Sequence, residues 1–312
     1  MTTFGDQVRE YGGAPVGSGR FSSPWATHYF VDGDNGTAGA GGLRPDKATA
    51  TVAQAISLAG YGDVIYVRPK KPGGSTSGDA SDPGFYTADT MVIPFAKHQL
   101  AIIGVNSAST LYGPFIWPTS GIGLDVYASA FHIENMTIHA ESVTYAIYLR
   151  GISGYATKAG SCGASIENCV IGYGQTLVEG GGDTVFRNCH FRNAIPLDIK
   201  GNAAGVGPIR RDAVIGCWFG ANNGAAVATA YVTLEGSISE FLMKDCHFDQ
   251  PTAVDEYINS SGSVDGLISN CYFADDAVTW GADAGDEIRI ASGTLCPSGC
   301  YDNAGSLIAT GT

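Results

Sequence analysis

Residues 164–173, ASIENCVIGY, and residues 184–193, TVFRNCHFRN, are two copies of one pattern. Each has an apolar residue, a variable one, Asn, Cys, another variable one and a large apolar residue. The pattern returns as FHIENMTIHA (131–140), AVIGCWFGAN (213–222), LMKDCHFDQ (242–250) and LISNCYFAD (267–275). Cys169, Cys189, Cys217, Cys246 and Cys271 stand 20, 28, 29 and 25 residues apart. Repeats at such intervals are the mark of a solenoid, in which each coil stacks on the last. Between copies lies a second strand ending near Gly: YAIYLRG, TLVEGGG, PLDIKGN, YVTLEGS, EYINSSGS and EIRIASG.

These intervals predict an all-β, single-stranded parallel β-helix. Residues i and i+2 of a strand share a face, so Cys189 and Phe191 point inward together. Cys behaves as a small hydrophobe and stacks in the core. The preceding Asn (Asn168, Asn188, Asn270, with Asp245 as a variant) suits a left-handed bend. Cys189 and His190, although adjacent, face opposite sides and cannot share a proton or a metal. The residue after each Cys faces out: Thr137, Val170, His190, Trp218, His247 and Tyr272. Outward His190, Trp218, His247 and Tyr272 form an aromatic contact stripe, to be covered by other subunits or by sugar rings.

Residues 1–28 are rich in Gly and Pro and read as an extended arm, with Phe4, Tyr11, Phe21 and Trp25 as anchors. Residues 29–293 are assigned to the β-helix and 294–312 to a C-terminal cap or tail. The spacing of Val52, Ala55, Ile56 and Ala59 predicts a capping helix at about 50–60. Residues 70–84 read as an exposed loop.

The net charge of −13 argues against nucleic acid and acidic membranes as partners. The first residues lack the basic and apolar regions of a signal peptide, so synthesis in a cytoplasm and reduced thiols are expected. Cys296 and Cys300, with Cys162, are read as outside the Cys ladder. A lone C-x₃-C is a weak zinc signal. Asp32, Asp34 and Asn35, or Asp283, Asp286 and Glu287, could give oxygens to Ca²⁺, but turns explain both clusters. No metal or cofactor is expected. Glu134 and Glu167, one strand spacing apart, are the best carboxylate pair for glycoside chemistry. Their column continues as Arg187, Ile215, Lys244 and Ser269, which reads as a solvated face.

The runs HYFVDGDNG and PDKATATVAQAISLAGYGDVIYVRP, with the repeated IENC-type coils, resemble the right-handed parallel β-helix proteins of the pectate-lyase-like superfamily. The beginning, TTFGDQVREYGGAPV, is similar to bacteriophage structural proteins. This resemblance implies a non-enzymatic virion protein: a homotrimeric capsid decoration (cement) protein held by its arm to the major capsid or other virion proteins. A tail fibre or tailspike binding or cleaving surface polysaccharide, and a pectate-lyase-like polysaccharide enzyme, are its alternatives.

Overall fold

The computed structural model describes residues 10–11, 14–15, 25–71, 84–86, 91–105, 113–118, 120–140, 144–150, 163–172, 174–179, 182–192, 197–201, 209–220, 230–249, 256–276, 278–282 and 287–308. Within them the chain is a right-handed parallel β-helix. Three ladders of parallel strands make its faces. The first runs through His28–Val31, Val64–Val67, Ala101–Gly104, His132–Glu134, Ser165–Glu167, Val185–Arg187 and Ala213–Ile215. It continues into Ser237–Lys244, Glu256–Ser269 and Ile288–Ser298.

The second ladder is an eight-stranded sheet from Phe85–Tyr86 to Tyr272–Phe273. Its strands include Thr137–His139, Val170–Gly172, His190–Arg192, Trp218–Gly220 and His247–Phe248. The third contains Met91–Ile93, Ile122–Val126, Tyr145–Leu149, Gln175–Glu179, Leu197–Lys200 and Ala230–Glu235. The long strands Glu256–Ser269 and Ile288–Ser298 belong to both the third and the first ladder.

The bend between the first and second faces is a left-handed residue in every repeat coil. Asn135, Asn168, Asn188, Asp245 and Asn270 have φ between 51 and 55°. Gly216 and Gly299 take the same place at φ 63 and 65°. Asn tolerates this conformation and Gly has no Cβ to strain in it. The side chains also link coils: Asn188 Nδ2 donates to Asn168 Oδ1, and Asn168 Nδ2 to Glu134 Oε1, both at 3.3 Å.

Behind the bend the core is stacked in register. Phe191, Phe219, Phe248 and Phe273 lie parallel, with centroids 4.7, 4.7 and 4.8 Å apart. That is the spacing of neighbouring strands in a sheet, so backbone pairing and ring stacking demand the same repeat. Cys169, Cys189, Cys217, Cys246 and Cys271 are buried beside them.

Cys300 is also buried and donates to Ile268 O at 3.5 Å. It is the next rung of the Cys ladder, which corrects its placement outside it; Cys296 is exposed, and Cys162 lies outside the described residues. The last strand, Ile288–Ser298, runs across residue 293, so the β-helix passes the boundary drawn there from sequence.

The helix is shorter than expected, Val52–Leu58. Thr51 caps it by accepting from Gln54 N at 3.1 Å, and Ala59 is already extended. Val52, Ala55 and Ile56 are buried against the first coils. Of the expected 70–84 loop, residues 72–83 lie outside the described residues.

Candidate functional site

The outward side of the second sheet carries two columns. The first reads Phe85, Phe115, Thr137, Val170, His190, Trp218, His247 and Tyr272, in strict register. The alternation of the strand puts these residues outside because Phe191, Phe219, Phe248 and Phe273 fill the inside. His190 stacks on Trp218 at 5.0 Å, Trp218 meets His247 edge-on at 5.4 Å, and His247 stacks on Tyr272 at 4.8 Å. The predicted stripe is therefore one continuous run of rings over four coils. Trp218 stands proud at 47% exposure, and Thr137, further along, is buried.

The second column, one step along each strand, is polar: His139, Gly172, Arg192, Gly220 and Asp249. Its two glycines leave space that neighbours occupy. A Cβ at Gly220 would lie 2.5 Å from Asp249 Oδ2, and one at Gly172 would lie 3.8 Å from both Arg192 Cβ and His139 Nδ1. Asp249 is paired with His247 Nε2 at 3.2 Å. Burial, and then the Arg192 guanidinium, push the His139 imidazole down to about 4. The same two causes lower His190, against the opposing pull of Asp249. Both rings are thus neutral near pH 7 and present uncharged faces beside a fixed cation. At the far end Tyr272 donates to Asn303 Oδ1 at 2.6 Å.

A second group of rings closes the other end of this sheet. Phe85 meets Phe115 at 4.9 Å and Trp117 at 4.4 Å, and His139 meets the same two rings at 5.5 and 4.5 Å. Thr137, Val170 and Gly172 separate the two aromatic groups.

Glu134 and Glu167 do pair in register on the first face, followed by Arg187. Each is held by its own coil or the next: Glu134 by His132 Nε2 at 3.4 Å and Asn168, Glu167 by Ser165 Oγ at 2.8 Å. Both carboxylates are thus engaged in hydrogen bonds with neighbouring side chains. Asp32 is likewise satisfied, accepting from Asp34 N and Asn35 N at 3.0 Å and from Arg68 at 2.8 Å. Asp283 and Asp286 lie outside the described residues. No group of three metal-ligating side chains occurs among the described residues. Of the arm anchors, Phe4 and Phe21 lie outside the described residues, Tyr11 is described by backbone alone, and Trp25 is 91% exposed.

Sequence reading passed over the third face. Its outward residues form a ladder of alternating charge, Arg150, Glu179, Lys200 and Glu235, beside Asp125, Tyr148 and Asp198. Arg150 pairs with Asp125 at 2.5 Å and lies over the Tyr148 ring at 4.1 Å, while Tyr148 donates to Glu179. Lys200 Nζ bridges Asp198 at 3.2 Å and Glu235 at 3.3 Å. The signal was present: each of these four residues immediately precedes a Gly.

No protein-family model matches the sequence, and no curated protein is similar to it. Among solved structures the chain is similar to a rhamnogalacturonan lyase, with 11% identity, a TM-score of 0.49 and coverage of 90% of this chain and 75% of that one. It is also similar to the pectin methylesterase of Aspergillus niger, with 13% identity, a TM-score of 0.44 and coverage of 91% and 88%. A pectin methylesterase in complex with a hexasaccharide gives 10% identity, a TM-score of 0.41 and coverage of 89% and 90%. None of these findings links the chain to bacteriophage virion proteins.

Proposed function

We propose that this protein binds a polysaccharide along the outward side of its second sheet, with the glycan running parallel to the solenoid axis. The observation that carries this is the unbroken ring run His190–Trp218–His247–Tyr272, with Arg192 and Asp249 in the adjoining column. Aromatic faces take the apolar faces of sugar rings, and a few placed polar groups fix their hydroxyls. Arg192 and Asp249, which border the stripe, are the placed polar groups that suit a hydroxyl-rich ligand. The net charge of −13 favours a neutral polysaccharide over a polyanion.

Affinity electrophoresis through gels containing xylan, dextran or homogalacturonan tests the reading. Wild type should be retarded by a neutral glycan and Trp218→Ala should not, losing roughly tenfold or more in affinity for about 1.5–3 kcal/mol of lost ring contact. Equal retardation of both proteins, or of neither, overturns it. Sedimentation of the same samples tests the competing trimer, in which the stripe is hidden between subunits.

A further inference from the structure

On the outward side of the second sheet, Trp218, His247 and Asp249 are exposed by 47, 45 and 40%. Gly220 shares a strand with Trp218 and lies between Arg192 and Asp249 in the polar column. Its missing side chain lets Asp249 lean back over the neighbouring coil. Asp249 Oδ2 sits 2.5 Å from the point that a Gly220 Cβ would occupy, closer than any real Cβ could tolerate. The Trp218 indole Nε1 is 3.6 Å from the same point. Gly220 therefore brings a carboxylate oxygen and an indole N–H from two different coils to one place.

Neither of these two atoms has a partner. His247 Nε2 holds Asp249 Oδ1 at 3.2 Å and so fixes the turn of the carboxylate. Asp249 Oδ2 accepts no hydrogen bond among the described residues, and the Trp218 N–H donates none. Both side chains stand on strands paired in register, so their spacing is set by the coil repeat. One acceptor and one donor facing the same point are satisfied together by a hydroxyl, which gives its proton to the carboxylate and accepts from the indole. An oxygen near the missing Cβ is in reach of both, at about 2.7 Å for the first bond and about 2.9 Å for the second. Water fills such a seat until a ligand hydroxyl displaces it.

We propose that Asp249 Oδ2 and Trp218 Nε1 form the seat of one free hydroxyl of the glycan, and that Gly220 is the residue that makes the seat possible. This rests on the polysaccharide reading above and narrows it. Among neutral glycans, the site takes those unsubstituted at the seated position and discriminates against those carrying an ester or ether there. An O-acetyl or O-methyl oxygen has lone pairs but no proton to give, so it meets the Asp249 carboxylate as one acceptor meets another. Arg192 only donates and takes a free or a substituted oxygen alike, so the discrimination falls to Asp249. Fully buried seats reject a missing hydroxyl most strongly, and the half-exposed Asp249 should do so more modestly.

The experiment is affinity electrophoresis in gels of xylan and dextran, each used unsubstituted and O-acetylated. Wild type should bind the unsubstituted form of the glycan that retards it more tightly, by about tenfold or more, as expected for a hydrogen bond to a charged group. Three variants remove the seat by different routes. Asp249→Ala deletes the acceptor, Gly220→Ala displaces it with a Cβ, and Trp218→Phe keeps a ring without the N–H. Each should weaken binding of the unsubstituted glycan and leave binding of the acetylated one unchanged, which a general disturbance of the stripe would not do. Equal retardation of wild type by the two forms, undiminished preference in Asp249→Ala and Gly220→Ala, or equal losses for both forms in all three variants sinks the hydroxyl seat and leaves the stripe standing. Absence of any retardation of wild type sinks both.

Discussion

Replacing Asp212 by Asn should change how stability depends on pH. Asp212 precedes the strand Ala213–Ile215 and is 1% exposed. Its Oδ1 accepts from Thr184 N at 2.8 Å, while Oδ2 is buried without a partner among the described residues. Burial pushes the carboxyl up to about 7 from 3.8, with Asp183 adding to the rise and Thr184 opposing it. The folded state thus holds this proton more tightly than the unfolded chain. Its contribution to stability is complete below about pH 3.8, declines as pH rises through about 7, and is absent above that. At about 1.4 kcal/mol for each pH unit between the two values, the full swing is about 4 kcal/mol. Asparagine keeps the acceptor for Thr184 N and carries no charge at any pH. Urea unfolding of wild type and Asp212→Asn at pH 4, 5, 6, 7 and 8 measures the gap. The variant should gain on wild type between pH 4 and about 7, by about 4 kcal/mol in all, with no further gain at pH 8. A gap that is constant with pH would refute the reasoning, since any packing defect of the variant is independent of pH.

Three further outcomes follow from the coil geometry. Phe219→Ala removes the middle of the inward ring stack and should cost about 3–5 kcal/mol by urea unfolding, whereas removal of the exposed Trp218 ring should cost under about 1 kcal/mol. Gly216→Ala places a Cβ 2.6 Å from Asn188 Oδ1 at a φ of 63° and should destabilise by about 1–3 kcal/mol; Gly216→Asn, which matches the neighbouring coils, should cost less in the same assay. Thiol labelling with peptide mapping should modify the exposed Cys296 rapidly in the native protein and leave Cys189 protected, because burial pushes the Cys189 thiol up and denies access to it.

The parts of the fold legible from sequence were those where one residue type is demanded at one place in every coil. The left-handed bend selects Asn, the small inward position selects Cys, and the next inward position selects Ile or Phe, so these columns could be read directly. Cys300 was missed because Asp302 stands where the other rungs carry Ile or Phe, although Ser298-Gly299-Cys300-Tyr301 repeats Ser269-Asn270-Cys271-Tyr272. The outward stripe followed from strand alternation alone, and its ring contacts confirm the register. The third face was harder because loops of varying length separate its strands from the Asn-Cys motif. Its outward positions also alternate in charge, so no residue type recurs in the column. Only the Gly after each of Arg150, Glu179, Lys200 and Glu235 marks the alignment. Burial of Asp198 and Asp212 had no sequence signal, because it depends on how adjacent coils stack over each carboxyl.

The most direct test of the central claim is a crystal structure of the protein with a hexasaccharide of whichever neutral polysaccharide retards it most. Sugar rings should lie over Trp218 and the flanking His190, His247 and Tyr272, with hydroxyls directed at Arg192 and Asp249. A hexasaccharide bound elsewhere with the stripe bare, or a stripe buried between subunits in the same crystals and in solution, would contradict it.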